Sequence, residues 1–267
     1  MRPFEGIAGE ADWVAMREIV PAATAELKPA DHSQPIVTLA TVLPLAWPAM
    51  VNGDGSIMLA AQTETASGDA SKDLGDALSR ALKAPPGQTI PPRPLPPDAP
   101  RIHELVDTSV RPSVIVHSRF DFWLGDQPEE EVDELTRASL ERANAAVVPT
   151  ARLASVEAAY WMRFGDRTQL RWVLPDPEEP LIDALARLQV EGDLNVGAAS
   201  RYLGSYRCLG LLVPVWDLAA EAEVDDVEDE ALHFWQRLTD ALADSRALSP
   251  EQRRARESLR ARQLTMH

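Results

Sequence analysis

The sequence predicts an α+β protein: two tandem copies of a helix–β-hairpin–helix–strand unit, followed by a C-terminal helical hairpin. Three observations carry this. Apolar residues recur at helical spacing in some segments and as β-branched runs bounded by turn residues in others. The landmarks of the first half return in the same order in the second half. After residue 220 the chain changes to an acidic helical pattern and then an arginine-rich one. The expected division is residues 1–125, 126–220 and 221–267.

Glu10–Val20 sets Trp13, Met16 and Ile19 at helical spacing, and Pro21 ends the helix. Ile36–Leu43 and Leu45–Val51 read as strands. Asn52-Gly53-Asp54-Gly55 supplies the positive φ that a hairpin turn into Ser56–Gln62 requires. Lys72–Lys83 is a helix with Leu74, Leu78 and Leu82 on one face. Pro85–Pro100 holds eight prolines in sixteen residues, so it is read as a polyproline-type connector, a solvated spacer or a draped loop. Ser113–His117 is the strand that closes the first copy, and the aromatic cluster Phe120–Trp123 follows it.

Asp126-Gln127-Pro128-Glu129 carries a capping acid and an early proline, so a helix is expected from there to about Ala146. Val132, Leu135, Ser139 and Leu140 form its expected apolar face, and Glu129–Glu131 its solvated start. The repeat rests on four pairs. Ile19-Val20-Pro21-Ala22 matches Val147-Val148-Pro149-Thr150. Ala46-Trp47 before Gly53-Asp54 matches Tyr160-Trp161 before Gly165-Asp166. Asp76–Arg80 matches Asp183–Arg187, and Val114–Val116 leading to Trp123 matches Leu209–Val213 leading to Trp216. Beyond the repeat, Glu221–Asp244 is an acidic helix with Leu232, Trp235, Leu238 and Leu242 expected inward. Ser249-Pro250-Glu251-Gln252 is a capping box that opens a final helix, Pro250–Gln263. The acidic and basic helices are expected to pair with each other. The seven tryptophans are spread over the predicted elements and read as core anchors.

At 267 residues, 45% hydrophobic and 25% charged, the composition is that of a globular protein with a real core. The net charge of −16 disfavours nucleic acid as a whole-surface partner. Basic residues are nearly all arginine, with lysine only at 28, 72 and 83, which reads as a nucleotide-composition bias. The start, Met1–Gly6, lacks the basic head and apolar run of a signal peptide. The uncharged stretch Ser33–Gly53 is broken by three prolines, so no membrane span and a cytoplasmic location are expected.

Most catalytic signatures are missing: there is no nucleophile elbow, phosphate-cradling glycine loop, dinucleotide fingerprint or zinc-protease motif. Single Cys208 rules out an internal disulfide and a multi-thiolate zinc site. Asn52-x-Asp54-x-Ser56 opens like a calcium loop but has Thr63 where a bidentate glutamate would stand, so a hairpin turn is expected. Cys208, between Arg207 and the apolar run Leu209–Val213, reads as buried and inert. His103 and His117, with Glu104 and Asp107, follow no ligand spacing. His103, His117 and Cys208 are therefore the candidates for a site between the copies, and no cofactor or metal is expected. Arg253, Arg254, Arg256, Arg260 and Arg262 form an interaction tail.

Arg2-Pro3-Phe4-Glu5-Gly6, Ala11–Ala15, Ile19–Ala25, Leu211–Leu218 and the arginine-rich ending resemble an uncharacterised actinobacterial family, a domain of unknown function. Some of its members bear titles related to preprotein translocase or topoisomerase, and nothing in this sequence supports either. The resemblance implies a cytoplasmic protein with a short basic lead before the Arg-Pro-Phe-Glu block, a lead this sequence does not show. It carries over no catalytic residues.

The functional expectation is a non-enzymatic interaction or adaptor protein that meets a basic protein partner through acidic surface or the groove between the copies. Two alternatives stand beside it: an enzyme or small-molecule binder with its site between the copies, and a nucleic-acid accessory protein working through the arginine tail.

Overall fold

Residues 2–63, 67–124, 133–262 and 264 are described by a computed structural model, in which the chain divides into Arg2–Val148 and Pro149–His267. The fold is α+β, as the pattern predicts, with one mixed and one antiparallel sheet.

The first unit runs α1 (Glu10–Glu18), β1 (Ala23–Leu27), β2 (Val37–Ala40), β3 (Ala49–Val51), β4 (Ile57–Ala60), α2 (Ala70–Ala81), β5 (Thr89–Ile90), β6 (Val114–Val116) and α3 (Glu134–Ala145). Its six-stranded sheet has the order β5-β3-β4-β2-β1-β6, with β2 and β4 parallel and the other pairs antiparallel. The Asn52 turn is the expected hairpin: the Asn52 amide donates to Ser56 O at 2.8 Å, and Ser56 donates twice to Asp54 Oδ1. Helix α1 is buried on every side from Glu10 to Arg17. Its charges are therefore all spoken for. Arg2 grips Glu10 at 2.6 and 2.9 Å, and Arg17 donates to Ala61 O and lies 3.7 Å from Asp73.

Helix α2 starts on Asp69, whose side chain accepts from the Lys72 amide, and buries Leu74 and Leu78. The proline-rich segment drapes over it. Arg93 forks onto Asp76 at 2.5 and 3.1 Å, Lys72 Nζ donates to Pro97 O, and Ala99 is buried. Gly75, in mid-helix, is the seat of this contact: a Cβ there would stand 2.1 Å from Pro100 O. The segment is thus a bound strap, not a spacer, and it also contributes β5 to the sheet edge.

Helix α3 differs from expectation in two ways. It packs on the first unit instead of opening a second copy: Leu140 joins Ala22, Leu43, Phe120 and Trp123, while Asn144 Oδ1 accepts from the Phe120 amide. Leu135, expected inward, is 62% exposed, because the buried stripe runs through Leu140, Ala143 and Val147. The expected start at Asp126, Val132 and the run Glu129–Glu131 lie outside the described residues; the described helix is capped by Asp133, which accepts from the Thr136 amide at 2.9 Å.

The second unit runs β7 (Thr150–Arg152), β8 (Ala159–Phe164), β9 (Arg167–Trp172), α4 (Glu178–Glu191), β10 (Arg201–Cys208), β11 (Leu211–Leu218), α5 (Asp225–Ala243) and α6 (Pro250–Ala261). The sheet order is β10-β11-β9-β8-β7, antiparallel throughout. Trp172, Trp216 and Phe234 meet with ring centroids 5.1–6.4 Å apart at the centre of the core. The Trp216 indole N–H is satisfied by Leu194 O at 2.9 Å. Both landmark hairpins are antiparallel, β3–β4 across Asn52–Gly55 and β8–β9 across Gly165–Asp166, and Asp76–Arg80 and Asp183–Arg187 both lie on helices. However, Ala46 and Trp123 lie in short helical turns where Tyr160-Trp161 and Trp216 lie on strands, and the two sheet orders differ.

The last two helices share the core of this unit instead of standing apart as residues 221–267. Their charges also pair differently from expectation. The capping box forms, with Ser249 and Gln252 bonding reciprocally, but α6 turns its arginines to α4: Arg256 and Arg260 meet Glu179, and Arg256 meets Asp183 at 2.8 Å. Both helices pack on α4. On α5 the buried face is Val227, Ala231, Phe234 and Leu238. Trp235 and Leu242 are half-buried and Leu232 is 37% exposed. No helix among the described residues is long and apolar enough to cross a membrane.

Candidate functional site

Each of the three residues singled out for chemistry has its own surroundings. His103 lies in a helical turn at Ile102–Glu104, where its Nε2 faces Glu5 O and its Nδ1 faces Ser71 Oγ, both at 3.0 Å. Because a carbonyl can only accept, Nε2 donates and the Ser71 hydroxyl donates to Nδ1 in the neutral ring. The ring ties the start of α2 to the segment before α1, with no nitrogen left over. His117 Nε2 bonds Thr24 Oγ1 at 2.8 Å and its ring lies 4.9 Å from Phe122; burial pulls its pKa below the ordinary histidine value. Cys208 ends β10, 2% exposed. The histidines belong to the first unit, with separate partners, and Cys208 to the second. Among the described residues no group of three or more His, Cys, Asp or Glu could hold a metal ion.

The arginine tail is largely committed. Arg256 and Arg260 sit on α4 carboxylates, and Arg253 donates to Leu248 O at 2.6 Å. Arg254 and Arg262 are exposed.

Two clefts of the second unit have the make-up of binding sites. The first lies beside the start of α5. This stretch is acidic, and part of it is used internally: Glu228 accepts from the Ala154 and Ser155 amides at 2.8 Å, Glu223 pairs with Arg163 at 3.0 Å, and Asp226 accepts from the Glu223 amide. Glu221, Asp225, Asp229 and Glu230 remain, all exposed and with no basic partner among the described residues. A cleft of about 220 Å³ opens alongside, walled by Val196, Ala199, Leu218 and Val227 and lined also by Asp226 and Glu230. An apolar wall with carboxylates suits a long basic side chain, whose stem prefers burial while its head keeps a counter-ion.

The second cleft, about 310 Å³, lies between α4, β10 and α6. Ile182, Leu185, Leu212 and Leu259 line it, together with Tyr202 and, from the segment after α6, Leu264. Glu178 and Arg207 stand beside it as a bidentate pair that lowers the pKa of the carboxyl. The Tyr202 side chain is buried, which raises its phenol pKa against the opposing pull of the neighbouring Ser205 hydroxyl. The sequence pattern pointed to neither cleft. The acidic run Glu221–Glu230 was a usable signal for the first; β10 was hidden by Gly204, which breaks the alternation of Tyr202 and Tyr206.

A family model described as a family of unknown function, DUF5926, matches residues 3–267. No curated protein and no solved structure matches the chain.

Proposed function

The chain belongs to the DUF5926 family, and we propose that it acts as a non-enzymatic interaction protein that docks a basic protein segment on the acidic start of α5. The observation that carries this reading is the set Glu221, Asp225, Asp229 and Glu230, exposed without counter-ions beside a cleft of about 220 Å³. Exposed like charges raise a field that steers an oppositely charged partner and is screened beyond a Debye length of about 8 Å at physiological salt. The cleft adds a place for one arginine or lysine stem. The alternative of nucleic acid on the arginine tail is weaker, since Arg253, Arg256 and Arg260 are already engaged within the unit. A small-molecule site built on His103 is disfavoured by the use of both its ring nitrogens.

The test uses a fluorescent nona-arginine peptide as probe, followed by anisotropy at 50 and 200 mM salt. The variant Asp225→Asn/Asp229→Asn/Glu230→Gln is expected to weaken binding at least tenfold. A control that removes the same charge elsewhere, Glu26→Gln/Glu141→Gln/Asp166→Asn, leaves it within about twofold. Equal weakening by both variants would mean that only net charge acts, and the assignment to α5 would fail.

A further inference from the structure

Strand β10 is an edge strand of the second sheet, and an edge presents main-chain groups that another strand can pair with. Here the chain pairs with itself. Beyond α6, the Ser205 amide donates to Arg262 O at 3.3 Å, and the Leu264 amide donates to Ser205 O at 3.0 Å. One residue of β10 thus bonds through both its amide and its carbonyl to positions 262 and 264, the pattern of a parallel strand laid on the edge.

Strand β10 is shaped to receive this segment. Its register with β11 shifts between Tyr202 and Gly204, and Gly204 holds φ 151°, a region that favours glycine. A Cβ on Gly204 would stand 2.4 Å from Arg262 O and 3.2 Å from Leu264 Cγ. The missing side chain is the space in which the added segment lies. Leu264 then lines the cleft formed by Ile182, Leu185, Leu212 and Leu259. Tyr202, 6% exposed, also lines this cleft.

We propose that the β10 edge and the cleft beneath it form a docking site for an extended partner segment carrying one leucine-sized side chain, a place that the Arg262 main chain and Leu264 of the chain itself take from within. The strap is the template for the partner: two main-chain hydrogen bonds give affinity without sequence demand, and one leucine-sized side chain in the cleft gives selectivity. A hold of two hydrogen bonds and one apolar side chain exchanges with a competing segment of the same form. This site is separate from the acidic start of α5, and charge changes on α5 leave it unaffected.

The experiment uses the full chain and a fluorescein-labelled peptide with the sequence of residues 260–267, read by anisotropy. The unaltered chain binds weakly because its strap competes. Leu264→Asp withdraws the strap and is expected to tighten peptide binding at least tenfold; if that variant does not melt cooperatively, Leu264→Ser carries the same comparison. A peptide with aspartate in place of its leucine binds at least tenfold more weakly to the opened chain. Adding Gly204→Val to the opened chain abolishes binding while a cooperative melt persists. The proposal is overturned if the folded, opened chain does not gain peptide affinity, or if the leucine-less peptide binds equally. It is also overturned if the opened chain dimerises by light scattering and excludes the peptide, which would make a second copy the occupant.

Discussion

Replacing Gly75 by alanine separates local helix preference from tertiary contact, because the two predict opposite signs. Gly75 lies in the middle of α2, where alanine is favoured over glycine by about 1 kcal/mol on intrinsic propensity. In the folded chain, however, the new Cβ would meet Pro100 O at 2.1 Å and the carbonyl carbons of Pro100 and Arg101 at 2.8 Å. These are main-chain atoms that no rotamer change can remove. The draped segment must lift by more than an ångström, and it is tied down by Arg93 on Asp76 and by Arg101 on Asp69 at 2.8 Å. Forced overpacking of this kind costs roughly 3 kcal/mol at the upper end of the usual range. Subtracting the propensity gain leaves a net loss of about 2 kcal/mol. For a unit of this size that lowers the melting temperature by roughly 6 °C. The measurement is thermal unfolding by far-ultraviolet circular dichroism, with proteolysis at Arg101 as a local report on the strap. A melting temperature unchanged or raised, with Arg101 still protected, would refute the contact and leave the segment as the free spacer that its proline content alone suggests.

Two further outcomes follow from the charge placement. Arg187, buried on α4, reaches Asp244 at 3.1 Å and the main-chain oxygens of Asp244 and Arg246. Arg187→Ala should cost roughly 3 kcal/mol by stranding these acceptors, and Arg187→Lys should recover little, since one ammonium cannot span them; denaturant melts of the three chains decide this. In three loops an aspartate accepts from the amide and hydroxyl of the serine two residues on: Asp31 with Ser33, Asp54 with Ser56, Asp107 with Ser109. Each carboxyl is held below its ordinary pKa by these bonds. A depressed folded value means that the stabilisation is complete above the unfolded pKa of about 3.9 and is lost as pH falls through the folded value. The urea midpoint should therefore fall between pH 6 and pH 3, and Asp31→Asn/Asp54→Asn/Asp107→Asn should show a shallower fall.

The elements that could be read from the sequence are those whose signal is local. The Asn52–Gly55 turn, the leucine face of α2 and the Ser249–Gln252 capping box are set by residues within four positions of each other, and all three form. What escaped depends on distant partners. Ala-Thr-Ala-Glu-Leu has little strand preference of its own, yet as β1 it sits between β2 and β6, which pair with both its edges, and its alanines are buried. The stripe of arginines on α6 was visible, but a stripe states a charge without naming the opposite face. Glu179 and Asp183 on α4 were closer in space than the acidic α5 that precedes α6 in sequence. His103 shows the same limit at the candidate site: the sequence does not reveal that Glu5 and Ser71, distant along the chain, meet its two ring nitrogens.

The excess of arginine over lysine has a structural use whatever its origin. Arg2 on Glu10, Arg93 on Asp76 and Arg246 on Asp244 are two-pronged contacts that a lysine cannot make. Each ties a flanking segment to a helix or closes a helix end, so the basic side chains are drawn into holding the fold together. The chain has 42 acidic residues against 26 basic ones, so carboxylates are left over even when every basic side chain is paired. Carboxylates that neither cap an amide nor meet an arginine are then left facing water, and the start of α5 gathers four of them within ten residues. The surface field at the start of α5 is carried by this excess of acids over bases. Breaking the fork of Arg93 on Asp76 would loosen the segment it ties to α2 without changing the net charge, whereas neutralising Asp225, Asp229 and Glu230 changes the field alone.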